Sequence, residues 1–250
     1  MAPTPHCGYF GPDESFEREV KMLDARTRRL AAALTLALTA LPAQLLAHGD
    51  VTPQPVNSDA LPEVGEEWLS ENPYRAETAG EEVWKTAVKI GDSGFNQNCA
   101  RCHGLGAVSG GIAPDLRYLE ANEDGDSWFV ERFQHGFTQN GTTKMPAFGP
   151  VLGQKAGWAI RTYIETRPED GALDDYAERL HAIHDQLMKG EGAGAALKAD
   201  LEGIAAKVKT ASGAPVADSA VSRAAEVLTA DPASFKHAGE ELEIGLSAAK

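Results

Sequence analysis

Cysteine is scarce in this chain, three in 250 residues, which is too few to build a disulfide scaffold. Basic residues are also outnumbered, 23 Lys+Arg against 37 Asp+Glu, for a formal charge of −14. A surface so acidic repels phosphate backbones and excludes nucleic acid as a partner. Long apolar runs are missing apart from Leu30–Ala47, so the chain is not a polytopic membrane protein. With 42% hydrophobic and 24% charged residues it has globular proportions, neither collagenous nor wholly disordered. Two of the three cysteines, Cys99 and Cys102, stand three positions apart, a spacing that belongs to metal, redox or haem chemistry.

Residues 26–47 read as an export signal. Arg26, Arg28 and Arg29 form a basic start, Leu30 to Leu41 is an uncharged Ala/Leu/Thr run broken by Pro42, and Ala47 supplies a small residue before a cleavage point. The competing reading is a retained anchor, since 18 residues without a charge are near the lower limit of a membrane span; its alanine content and Pro42 oppose that. The 21 residues before Met22 do not resemble a signal leader and hold Cys7, which makes Met22 the expected start. Cleavage would leave a chain with no membrane span, beginning at His48 and located in the periplasm.

The central segment reads Asn98-Cys99-Ala100-Arg101-Cys102-His103-Gly104. C-x-x-C-H is the attachment pattern of c-type haem: two thiols can form thioethers with one porphyrin, and the adjacent imidazole becomes the proximal iron ligand. A thioredoxin-like pair would lack the following histidine, and a zinc site would need two further ligands that no second cysteine pair supplies. One covalent haem c is therefore expected on Cys99 and Cys102, with His103 on the iron. After export only Met145 and Met188 remain as thioethers. Met145 lies in Lys144-Met145-Pro146-Ala147-Phe148, where Pro146 stiffens an extended loop, so Met145 is the expected sixth ligand, with His135 or water as alternatives.

Helical spacing of Val83, Trp84, Ala87, Ile90, Gly94 and Phe95 predicts a first helix over Glu81–Asn98 that runs into the motif. Trp158, Ile160, Tyr163 and Ile164 predict a closing helix over Lys155–Thr166, stopped by Pro168. Trp128 has an indole N–H that either donates to a haem propionate or belongs to a core-filling ring.

These residues resemble the class I cytochromes c, and within them the periplasmic cytochrome c-550 (PedF) type that serves PQQ-dependent alcohol dehydrogenases. The resemblance spans about residues 48–168 and rests on Asn96 to Gly106, on Gly110-Gly111-Ile112-Ala113-Pro114-Asp115-Leu116-Arg117-Tyr118-Leu119, on Met145-Pro146, and on the Leu61 to Tyr74 stretch with Gly65-Glu66-Glu67-Trp68. It implies an all-α class I cytochrome c fold, with Gly91 and Phe95 crossing Ile160 and Tyr163, and with the Pro114 carbonyl accepting the Nδ1 proton of His103. It implies a PQQ-dependent alcohol dehydrogenase as electron donor and a downstream oxidase or cytochrome as acceptor. The protein is then an electron carrier, not an enzyme.

Beyond Pro168 the composition turns alanine-rich and aromatic-poor. Leu173, Tyr176, Leu180, Ile183 and Leu187, and then Leu197, Leu201, Ile204 and Val208, repeat at helical a/d spacing, while Val221–Leu228 and Phe235–Leu246 indicate two more helices. The expected organisation is an N-terminal extension and signal (1–47), a leader (48–78), a cytochrome domain (79–168) and a small helical bundle (169–250). His181 and His184, followed by Met188, read as a solvated helix face and not a second metal site. The helical extension keeps an alternative open, a haem-containing subunit or haem-based sensor in which it docks or signals. Residues 48–168 hold 10 basic and 17 acidic side chains and residues 169–250 hold 8 and 15, so each half carries −7. Glu120, Glu123, Asp124 and Asp126 are expected in one loop, and Val108, Ile112, Ala113, Pro146 and Phe148 in an apolar docking patch beside Arg101 and Lys144.

Overall fold

In the computed structural model, residues 52–247 are described; the export signal, Met22, Cys7 and His48 lie outside them. After an extended leader and a single turn α1 (Ala76–Ala79), the principal helix α2 runs from Glu81 to Asn98, with Glu81 and Glu82 in its first turn where a helix favours negative charge. A short helix α3 (Ala100–His103) follows directly. Two 3-10 turns, Leu105–Ala107 and Leu116–Tyr118, lead to α4 (Glu123–His135). A hairpin of β1 (Phe137–Gln139) and β2 (Thr142–Met145) precedes α5 (Gly149–Glu165). The chain then continues as α6 (Ala177–Lys189), α7 (Gly194–Ala205), α8 (Ala220–Ala230) and α9 (Phe235–Leu246). The described fold is thus mostly helical, and none of its helices is long and apolar enough to cross a membrane.

The crossing of α2 on α5 organises the first half. A Cβ built on Gly91 would lie 2.0 Å from the Ala159 carbonyl oxygen and 2.8 Å from Tyr163 Cβ, so only hydrogen fits there. One turn on, Phe95 and Tyr163 meet with ring centroids 5.4 Å apart. α5 differs from the expected Lys155–Thr166 helix: it begins at Gly149, with Pro150 in its first turn, and is interrupted at Gly153, whose φ of 74° and ψ of 175° break the helical run.

The supposed acidic loop is also corrected. Asn122 caps α4 by accepting from the Gly125 N–H, so Glu123, Asp124 and Asp126 form the first turn of a helix. Asp126 is not a surface charge at all. It is fully buried and accepts from Arg161 Nε at 2.8 Å, from Arg75 Nη2 at 2.9 Å and from the Asn72 backbone N–H at 2.8 Å. Arg75 also pairs with buried Glu165 at 2.9 Å, and Asn72 Nδ2 reaches the same carboxylate at 3.1 Å. Burial pushes the Glu165 pKa up, with the Arg161 charge opposing it. Leader, α4 and α5 are therefore tied by charge as well as by carbon.

In the second half, α6 to α9 close around one apolar core that includes Leu180, Ile183, Leu201, Val221, Leu228 and Leu242. Gly190, left-handed at φ 67°, ends α6, and Ser219 with Ser222 forms a reciprocal cap on α8. The two halves meet along a polar seam. The end of α5 gives up its carbonyls to the segment 209–218: Ser212 Oγ donates to Glu165, the Asp218 N–H to Thr166 at 3.0 Å, and the Ala211 N–H to Arg167 at 3.1 Å. Arg167 pairs with Asp218 across the same seam.

The close crossing makes a direct prediction. Gly91→Ala should destabilise the protein by about 1–3 kcal/mol or more, because the added methyl has backbone on its far side and cannot be accommodated by a rotamer change. Urea unfolding of the purified wild type and variant, followed by circular dichroism, checks the value; equal midpoints would contradict the crossing.

Candidate functional site

A cavity of about 550 Å³ opens where α2 hands over to α3. Its walls include Cys99, Cys102 and His103 from the motif, Pro114 and Leu116 from the following loop, Trp128, Phe129, Arg132 and Phe133 from α4, Met145 and Pro146 from the hairpin exit, and Ile164 from α5. The volume is within the usual range for a ligand pocket of roughly 300–1,000 Å³, and most of the wall is carbon. Each residue expected to hold a cofactor is present on this one surface: Cys99, Cys102, His103, Pro114, Trp128 and Met145. The alternatives are elsewhere. His135 is exposed and absent from the wall, and Met188, on α6, sits where a Cβ on Gly239 would meet its sulfur.

His103 is buried, and its Nδ1 lies 2.9 Å from the Pro114 carbonyl. A carbonyl only accepts, so the proton is on Nδ1 and Nε2 keeps its lone pair for a metal. Burial lowers the imidazole pKa, against the effect of the Pro114 hydrogen bond, and favours the neutral ring that ligates. Among the described residues Cys99 and Cys102 form no disulfide. Burial and the neighbouring Cys102 push the Cys99 thiol up to about 12, the opposite of the lowered pKa that a redox-active C-x-x-C pair requires.

The methionine is delivered by a hairpin that the expected extended loop did not anticipate. Asn140 and Gly141 form its two-residue turn with φ of 52° and 74°, both positive as a type I′ turn requires. Gln139 pairs with Thr142 and Thr138 with Thr143, then a bulge at Phe137/Thr138 lets Phe137 pair with Met145. A row of rings backs the wall, Phe129 on Phe133 at 5.4 Å within α4 and Phe133 on Phe148, which caps α5, at 5.9 Å. Arg132, which the sequence reading passed over, lies over the Trp128 ring at 4.0 Å. Its signal was the i, i+4 spacing from Trp128 on a helix.

Residues 86–164 match the protein family described as "Cytochrome C oxidase, cbb3-type, subunit III". Cytochrome c550 of Pseudomonas aeruginosa is 50% identical over 137 residues, 55% of this chain and 92% of that protein. The chain belongs to the class I cytochromes c. No solved structure matches it. The family carries covalently bound haem c, transfers electrons and works with redox partners. The cytochrome's cavity fits that group: two thiols, a singly hydrogen-bonded imidazole, a thioether and a largely apolar wall converge on one space.

Replacing both Cys99 and Cys102 with Ala should abolish covalent haem while leaving the polypeptide detectable. Haem staining after denaturing electrophoresis reads this directly, and a stained band in the double variant would refute attachment at these residues.

Proposed function

We propose that this protein is an extracytoplasmic electron carrier holding one haem c, attached through Cys99 and Cys102 and ligated by His103 and Met145. The observation that carries the reading is the presence of the imidazole and the thioether on one cavity wall set beside the two thiols. Bound there, haem c supplies a one-electron couple, and His/Met ligation raises its potential. The chain's own residues do the rest. Pro114 fixes the imidazole's tautomer, the hairpin presents Met145, and the rings of α4 keep water from the wall. We assign residues 79–168 to the cytochrome domain and residues 169–250 to a helical extension.

Met145→Ala should open the sixth position. Wild type should show the sulfur-to-iron band near the red end of the oxidised spectrum and should exclude carbon monoxide; the variant should lose the band and bind the gas when reduced. A variant that keeps both wild-type properties would refute Met145 as ligand.

The donor we propose is a PQQ-dependent alcohol dehydrogenase, with a terminal oxidase or another cytochrome as acceptor; the sequence resemblance supports this. Docking falls to the apolar rim of the cavity. Ile112, 69% exposed, and Phe137, 44% exposed, both line that cavity, and Leu105 and Val108, shortly after the cysteine motif in the chain, are exposed as well. Phe148, expected in this patch, is 3% exposed and belongs to the core behind it. Lys144 lines the mouth and is exposed, a positive point in an acidic chain. Charge outside an apolar patch acts mainly on the association rate and is screened over about 10 Å at 0.1 M salt. Reduction by such a dehydrogenase, followed by stopped flow, should slow as salt rises, and Lys144→Glu should change the rate with little effect on the potential. Failure of the enzyme to reduce the protein at any salt, while small reagents do so, would remove the donor assignment alone.

A second reading, a haem-bearing subunit of a larger oxidoreductase, draws on the matched family's description and on the polar seam that fixes the helical extension to α5. Co-purification with membrane oxidase subunits would favour it over a free carrier.

A further inference from the structure

The loop that offers Pro114 to His103 is tied to the helical extension through one guanidinium. Arg117, 5% exposed, donates to both Asp115 oxygens, from Nε to Oδ1 at 3.0 Å and from Nη2 to Oδ2 at 2.8 Å. Its Nη1 donates to Asp170 Oδ1 at 2.7 Å. The planar fork thus spans two carboxylates, one on each side of the seam, in a geometry that an ammonium does not reproduce. These hydrogen bonds hold the Asp115 and Asp170 carboxyls below the usual range, so both are ionised near neutrality. Asp115 follows Pro114 in the chain, and the Pro114 carbonyl is 2.9 Å from His103 Nδ1. Asp170 lies beyond residue 164, where the family match ends, and its neighbours are anchored: the Glu169 N–H donates to the Lys209 carbonyl at 3.0 Å, and Pro168 bridges to Thr210. One series of contacts therefore runs from residues 209–210 through Asp170, Arg117 and Asp115 to the imidazole.

We propose that the helical extension acts on the iron site through these contacts, with Asp170 and Arg117 as positioning residues that hold the Pro114 carbonyl on His103. The inference rests on the haem reading above and goes beyond it by giving the extension a part in setting the reduction potential. A firmly accepted Nδ1 proton leaves more electron density on the imidazole, makes it a more basic ligand and stabilises the oxidised iron. A looser loop weakens that hydrogen bond and favours the reduced form. Other ties across the seam bypass the loop: Arg167 with Asp218, and Ser212 with the Glu165 carbonyl, fasten the extension to the end of α5. They supply a control, because breaking one of them loosens the seam and leaves Arg117 between its two carboxylates.

The test uses the full-length holoprotein and reads two quantities for each variant: the potential, by spectroelectrochemistry at about 1 M salt, and hydrogen–deuterium exchange of residues 109–118. At that salt the Debye length is about 3 Å, which screens the direct effect of the exposed Asp170 charge on the iron. Asp170→Ala should favour the reduced form by roughly threefold, equivalent to about 28 mV at about 59 mV per tenfold change for one electron. It should also speed exchange in the loop. Arg117→Lys, which keeps the charge and loses the fork, should move both readouts the same way and further. Asp218→Ala should lower the melting temperature and leave both readouts at their wild-type values. A wild-type potential with wild-type loop exchange in Asp170→Ala overturns the proposal. An equal shift in Asp218→Ala overturns it too, because the effect would then be a general loosening of the seam. If Arg117→Lys does not fold, Asp170→Ala still decides, since that side chain is 72% exposed. Wild type without covalent haem would bring down the functional reading, whereas loop exchange, which needs no haem, still reads the hold of Asp170 on the loop.

Discussion

Everything in the first half depends on two helices approaching to backbone contact. With hydrogen alone on Gly91, α2 lies against the Ala159 carbonyl, and this fixes how closely the two helices cross. α2 ends at the cysteine motif and α5 carries Ile164 into the same cavity wall. The crossing thereby frames a cavity of about 550 Å³ whose wall is mostly carbon. The buried Arg161, Asp126, Arg75 and Glu165 cluster completes the frame. Removing one member of such a cluster leaves uncompensated charge, typically a loss of about 3–5 kcal/mol, which makes the cluster sensitive to breakage without making it a source of net stability.

The electrostatics of the molecule divide between inside and outside. Acidic groups dominate the surface of both halves, yet the buried carboxylates are paired with arginine and the cavity wall admits none. Among the described residues, Ile112 and Phe137 are large apolar side chains that both line the cavity and are exposed.

Much of this was legible in the residues. The spacing of Val83, Trp84, Ala87, Ile90, Gly94 and Phe95 marks α2 to the residue, and C-x-x-C-H with the proline and the methionine locates the cavity. The a/d pattern after Leu173 identifies the apolar face of the second half, because those leucines and isoleucines do meet in one core. What was illegible was long-range or non-periodic. Asp126 looks like one more acid in an acidic run until Arg161, 35 positions away, is folded onto it. The hairpin strands are solvent-exposed on Thr138, Gln139, Thr142 and Thr143, so they lack the alternation that reveals a strand, and only Asn140-Gly141 marked the turn.

The hairpin also makes the site modular. Its backbone pairing is complete within residues 137–145, whereas the thiols and imidazole are placed by a crossing between residues about 70 positions apart. The two sides of the cavity therefore obey different parts of the chain. Changes in turn residues or strand length can shift where Met145 stands on the wall without disturbing the cysteine motif, so within one unchanged frame the two sides of the cavity are open to separate adjustment by selection or by design.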